Sequence, residues 1–152
     1  LEGSRVTDKG LRLLQQFPNV GSLWLHGIAV TDESLKLLAS FKKLTRLDLT
    51  KTKVKGPGLH ALIGLPINYI AIEEGELTES AFEALGKLAL LEELSVTRSK
   101  LKSSWMLHIV KLPKLKKLRF FQVEFDGPNA EWPKSLPASV KVDLVQSSIR
   151  GK

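Results

Sequence analysis

Three histidines, His26, His60 and His108, are the side chains whose ordinary pKa lies nearest neutrality, so a search for proton-transfer or metal chemistry starts with them. His26 is placed to approach Asp48 across neighbouring strands, but no serine or cysteine completes a nucleophilic triad. His60 occupies a solvent position equivalent to Arg12 and Lys36, and His108 replaces Leu37 at a half-buried one. Glu73, Glu74 and Glu76 offer oxygens suited to calcium, yet their spacing matches no EF-hand loop. The chain contains neither G-x-G-x-x-G nor G-x-x-x-x-G-K-[ST], and it has 0 cysteines, which removes disulfides, thiol catalysis and thiolate zinc sites. The sequence predicts a non-enzymatic chain with no catalytic residues, no cofactor and no metal.

Recognition chemistry is better represented. Trp24, Tyr69 and Phe121, with Arg46 and Arg119 beside them, are of the types enriched at interface hot spots. Whether those rings face solvent depends on the elements that carry them.

Those elements repeat. Val6, Val30, Val54, Leu77, Leu101, Phe125 and Ile149 follow one another at steps of 24, 24, 23, 24, 24 and 24 residues. Between them recurs an LxxLxL triplet: Leu44, Leu47, Leu49 in the clearest copy, with equivalents at Val20, Leu23, Leu25; Ile67, Ile70, Ile72; Leu91, Leu94, Val96; and Leu115, Leu118, Phe120. The last copy, Ser139, Val142 and Leu144, is degenerate. Apolar residues two apart with polar neighbours predict a strand with one solvated face. After each strand the period becomes helical: Leu35, Leu38, Phe41; Leu11, Leu14, Phe17; Leu59, Leu62, Leu65; Phe82, Leu85, Leu88; Met106, Ile109, Leu112. Thr7, Thr31, Thr78 and Ser103 are candidate N-caps, Asp8, Asp32 and Glu79 suit the positive helix end, and Pro57 opens the third helix. The one missing residue falls in the return loop between Leu65 and Ile67, where it disturbs packing least.

A period of 20–29 residues carrying LxxLxL is the signature of a leucine-rich repeat. The fold class expected is α/β, a right-handed leucine-rich repeat solenoid over residues 1–152, with parallel strands on the concave face and helices on the convex face. The run VTDESLKLLASFKKLTRLDLTKTKV resembles the 24-residue leucine-rich repeats of bacterial, especially planctomycete, proteins, relatives of the cysteine-containing repeats of F-box adaptors. The resemblance covers essentially the whole chain and implies a protein-interaction role. Trp105 departs from the pattern, standing where Gly10, Ser34, Gly58 and Ala81 are small, so the fifth helix is expected to move outward or expose its indole. Ile28 and Val123 likewise replace the polar residue of the Thr52 slot. Leu1 aligns with Leu25, which suggests a further repeat or cap upstream. Residues 126–152 read either as a terminal cap, with Trp132 over the last core layer, or as a degenerate repeat; Pro133 and Pro137 forbid a regular helix there.

In this register three columns face solvent: Ser22, Arg46, Tyr69, Glu93, Lys117, Lys141; then Trp24, Asp48, Ala71, Ser95, Arg119, Asp143; then His26, Thr50, Glu73, Thr97, Phe121, Val145. The expected partner-binding residues are Trp24, His26, Arg46, Asp48, Tyr69, Glu93, Lys117, Arg119 and Phe121, and the expected partner is a protein. Six strands about 4.8 Å apart give a concave patch on the order of 400 Å². A standard interface takes about 800 Å² per partner, so flanking loops or further repeats should take part.

The formal charge of +7 raises nucleic acid as an alternative. Its distribution argues otherwise. Seven basic groups within 36–55 and eight within 98–119 flank seven acids within 73–93, an acidic band that would repel a continuous phosphate backbone. Stacked ladders account for the charges instead: Lys51, Glu74, Arg98; Lys53, Glu76, Lys100; Glu92 with Lys116; Glu93 with Lys117. A third reading makes the chain the sensing arm of a longer enzyme or adaptor. No apolar run approaches the roughly 18–20 residues of a membrane span and no signal peptide is present, so no membrane contact is expected and the chain reads as a monomer. The lack of cysteine favours a cytoplasmic or bacterial setting.

Overall fold

Leu47 and Leu49, two apart, turn to one face of a five-residue strand while Arg46 and Asp48 turn to the other, and this alternation recurs once per period. The computed structural model describes residues 8–73, 77–127 and 131–150. In chain order these form α1 (Asp8–Leu14), β1 (Ser22–Trp24), α2 (Asp32–Leu38), β2 (Arg46–Thr50), a 3-10 helix (Pro57–Leu62), β3 (Tyr69–Glu73), α3 (Glu79–Leu85) and β4 (Glu93–Lys102). A second 3-10 helix (Ser103–His108), β5 (Lys117–Asp126), a third (Trp132–Ser135), β6 (Lys141–Val145) and β7 (Ser148–Ile149) complete the order. The protein is α/β, with one open parallel sheet in the order β1-β2-β3-β4-β5-β6 and β7 pairing with β5.

Register follows the period. Leu23, Leu47, Ile70, Leu94 and Leu118 lie side by side, as do Leu49, Ile72, Val96 and Phe120. These rows are buried in one core with Leu35, Leu38, Phe41, Leu59, Leu62, Phe82, Leu85, Met106 and Ile109 from the helical segments. The missing residue before Ile67 leaves the pairing unbroken, and the return loop ahead of it carries Gly64 at φ +87°. Trp132 is buried against Phe120 and Phe125, with ring centroids 5.7 and 5.3 Å away. Beyond it β6 adds a strand whose inward Val142 is half-buried and whose Leu144 is exposed. The C-terminal segment thus carries both features the sequence leaves open: a strand in repeat register and a tryptophan over a core layer.

Several local expectations need correction. The third and fifth helical stripes are 3-10 helices. Pro57 has no N–H to give and starts the first of these at Gly56, which has φ +129°. Trp105 does not expose its indole. It is 9% exposed and packs on Phe82 at 5.6 Å, in the tighter Ser103–His108 helix. Ser103 is not the N-cap; Lys102 holds that position, and the Ser103 hydroxyl is buried without a hydrogen-bond partner. Thr31 does cap α2, its N–H donating to Ser34 Oγ at 3.1 Å. Thr7 lies outside the described residues.

Asp32 does more than sit at a helix end. Its carboxylate accepts the backbone N–H groups of Lys55, Gly56 and Gly58 at 3.0, 3.0 and 2.8 Å. One acid therefore ties the start of α2 to the turn of the following period. A Cβ on Gly58 would lie 2.4 Å from the Asp32 carbonyl oxygen, so the close approach requires glycine there.

A positive-φ residue recurs at one position of the period among the described residues. Gly27, Lys51, Arg98, Gln122 and Gln146, equivalent positions of the period, all have positive φ, between 48 and 69°. Gly27, Lys51 and Gln146 lie past the ends of β1, β2 and β6, whereas Arg98 and Gln122 lie within β4 and β5, whose register passes from Thr97↔Phe121 to Ser99↔Val123 around them; only Gly27 is the residue best suited to that conformation.

Candidate recognition face

On the sheet face away from the helices, the outward side chains stand in the expected rows. Ser22, Arg46, Tyr69, Glu93, Lys117 and Lys141 form one, and Trp24, Asp48, Ala71, Ser95, Arg119 and Asp143 the next. Thr50, Glu73, Thr97, Phe121 and Val145 form the third, with His26 just past the end of β1.

Three of the candidates converge. Trp24 is 45% exposed and lies 6.2 Å from Tyr69, ring to ring, while the Arg46 guanidinium sits 4.5 Å over the Tyr69 ring. A cation over a half-buried ring orders both side chains and leaves the guanidinium edge to accept a carboxylate. Burial, followed by the negative charges of Asp48 and Glu93, raises the Tyr69 pKa above 10.0, against the opposing pull of Arg46 and Arg119. Its hydroxyl therefore stays a hydrogen-bond donor at any physiological pH.

Phe121 does not join them. It is 40% exposed beside Val145 in the third row, on a strand four places from β1, about 19 Å away at the usual strand spacing. Glu93, Lys117 and Arg119 are engaged with one another's neighbours. Arg119 Nε lies 3.1 Å from Glu93 and 3.8 Å from Asp143, and Lys117 Nζ lies 3.1 Å from Asp143. The Glu93–Lys117 rung expected from direct register is thus replaced by diagonal pairs, because the longer guanidinium reaches across first. Other rungs form as expected or nearby: Lys116 with Glu92 at 2.8 Å, and Lys100 with Glu124 at 3.8 Å. Arg98 pairs with Glu73, which is buried to 9% exposure rather than presented to solvent. Glu74 and Glu76 lie outside the described residues. Of the eight basic residues within 98–119, Arg98, Lys100, Lys116, Lys117 and Arg119 are in ion pairs, which removes most of the charge a polyphosphate would need.

His26 and Asp48 do meet, through a residue that sequence reasoning passed over. Thr50 Oγ1 donates to Asp48 Oδ1 at 2.6 Å and stands 2.6 Å from His26 Nδ1; the Thr50 N–H also bonds Asp48 Oδ1, at 2.8 Å. With its one proton committed to the carboxylate, the hydroxyl can only accept from the imidazole. The arrangement fixes His26 and Asp48 in position. It does not set the imidazole up as a base for the hydroxyl. Among the described residues no cluster of three or more histidine, aspartate or glutamate side chains could hold a metal ion.

Beside the first row runs a groove of about 440 Å³, lined by Arg46, Asn68, Tyr69, Glu93, Lys117 and Lys141 among others. Lys141 and Asn68 were not among the residues singled out from sequence. The available signal was that Lys141 faces another cation, Lys117, across its strand pair. No protein-family model matches the chain, and no curated protein matches it either.

Proposed function

We propose that this chain is a non-enzymatic interaction module, a right-handed leucine-rich solenoid that binds a protein partner on its concave strand face and adjoining loops. One observation carries the reading: Trp24, Tyr69 and Arg46 form an ordered cluster that contributes to no core, on a sheet face left bare of any second layer among the described residues. Burying an exposed tryptophan and a cation stacked on tyrosine returns free energy only when a partner removes them from water. The 24-residue period, the parallel register and the helical segments confined to the other face support the solenoid. Partner-binding roles follow for Trp24, Tyr69 and Arg46 at the centre. His26 and Asp48 form one flank, and Glu93, Lys117 and Arg119 form the charged continuation.

Site-specific photocrosslinking tests this. A photoreactive amino acid at Trp24 should yield a discrete protein adduct in cells that express the chain, whereas the same group at His60, on the helical side, should not. An adduct from position 60 with none from 24 would place binding elsewhere.

A further inference from the structure

The groove beside the first row has an uneven charge pattern that specifies a ligand. Its lining includes four cations, Arg46, Lys116, Lys117 and Lys141, and two acids, Glu92 and Glu93. Two of the cations are matched, Lys116 by Glu92 and Lys117 by Asp143, and the acid Glu93 is held by Arg119. Arg46 and Lys141 have no carboxylate within ion-pair distance among the described residues. Arg46 stacks on the face of Tyr69, and the Arg46 and Lys141 side chains are both exposed. The groove therefore has an unmatched cation at each end, on β2 and on β6, with Glu92 and Glu93, at the start of β4, between them.

We propose that this groove takes an extended acidic segment of the partner protein, with one carboxylate on Arg46, a second on Lys141 and an uncharged stretch between, a proposal that rests on the interaction reading above. Arg46 is pre-set for the first contact, since stacking on Tyr69 fixes the guanidinium plane and leaves its donors directed outward. The Tyr69 hydroxyl and the Asn68 side chain, both half-buried on the groove wall, offer hydrogen bonds to the uncharged middle. Strands β2 and β6 are four intervals apart, about 19 Å between backbones at about 4.8 Å each, and an extended residue covers about 3.3 Å. Allowing for the reach of both cations, the two acids should lie about four to six residues apart. A nucleic acid fits less well. It places a phosphate at every step and would bring one against Glu92 and Glu93, whereas a peptide can leave that stretch neutral.

Phage-displayed random dodecapeptides selected on the folded wild-type chain test the inference, with each binder re-assayed as a labelled synthetic peptide by fluorescence polarisation. The expected winners carry two Asp or Glu residues four to six apart with no acid between. Arg46→Gln and Lys141→Gln should each weaken them by about fivefold, and by about 25-fold together, with thermal unfolding unchanged. Changing either peptide acid to Asn should produce the same loss, and that loss should vanish in the variant lacking its partner cation. Winners without acids that still lose binding on Trp24→Ala would overturn the acidic-segment inference and leave the interaction reading standing. Winners insensitive to Trp24→Ala, Arg46→Gln and Lys141→Gln alike, or none at all, would overturn both. Displacement of the winners by an oligothymidylate at matched charge would reassign the groove to nucleic acid.

Discussion

Asp32→Ala is the substitution by which the link between successive periods can be weighed. The half-buried carboxylate accepts three backbone N–H groups in the next turn, at 3.0, 3.0 and 2.8 Å. A hydrogen bond to a charged group contributes about 1.5–3 kcal/mol when shielded, and about half that here because water can reach Lys55, which is exposed. Three such bonds amount to about 3 kcal/mol. At about 3 °C per kcal/mol for a chain of this length, the unfolding midpoint should fall by about 9 °C. Asp32→Asn keeps an oxygen for Gly56 and Gly58, both of which bond Oδ1, but loses the charge and the Lys55 contact. It should cost about half as much. Glu33→Ala is the control, since among the described residues Glu33 pairs with Lys36 on the exposed side of α2, a contact worth about 0.5 kcal/mol or less. Urea unfolding followed by circular dichroism gives the three values, and amide hydrogen exchange locates the effect. Protection at Gly56 and Gly58 should drop more than at Leu47 or Ile70 in the sheet. Should Asp32→Ala fall within about 0.5 kcal/mol of Glu33→Ala, the carboxylate would not be joining the periods.

Two other outcomes are expected. The chain has 1 tyrosine, so the pH-dependent rise in absorbance near 295 nm reports Tyr69: its ionisation midpoint should lie above pH 10.0, and Arg46→Gln should raise the midpoint further by removing a nearby positive charge. Because folding raises this pKa, the associated stability is fully present below pH 10.0 and declines as pH rises through the folded-state value; a midpoint lowered by Arg46→Gln would contradict the stacked geometry. Lys51→Gly, at φ 53°, relieves about 1–2 kcal/mol of left-handed strain against about 0.4–1 kcal/mol of added unfolded-state entropy. Stability should therefore rise by about 0.5–1 kcal/mol in urea unfolding, whereas Lys53→Gly, at ordinary φ, should lower it by a similar amount; equal losses at both would refute the turn assignment.

The proposed partner chemistry follows from which charges the fold leaves unmatched. A net charge of +7 reads as general affinity for anions. Once Arg98, Lys100, Lys116, Lys117 and Arg119 are seen in ion pairs, the face presents two separated cations and an aromatic cluster. That is a pattern for a discrete segment with spaced acids rather than for a polyanion.

The parallel sheet was readable in the chain alone, because burial is a property of each residue and the period sets which residues are buried together. Leu47 and Leu49 must turn inward wherever their strand lies, and a step of 24 or 23 then brings Ile70 and Ile72 beside them. The same logic put Trp24, Arg46 and Tyr69 on the outer face, since alternation leaves them no inward alternative. What the period could not convey is any choice among near-equal neighbours. Arg119 pairs diagonally with Glu93, and Lys117 turns to Asp143, because side-chain reach settles which carboxylate is met first. Pro57 and Trp105 occupy helical slots, yet their segments wind as 3-10 helices, a difference in winding that the apolar period does not encode. Asp32 looks like any acid at a helix start until the next turn's backbone is brought within 3.0 Å of it. Equivalent positions share a column by sequence; which members of a column touch, and which cations remain for a partner, depends on distances that exist only once the turns are packed.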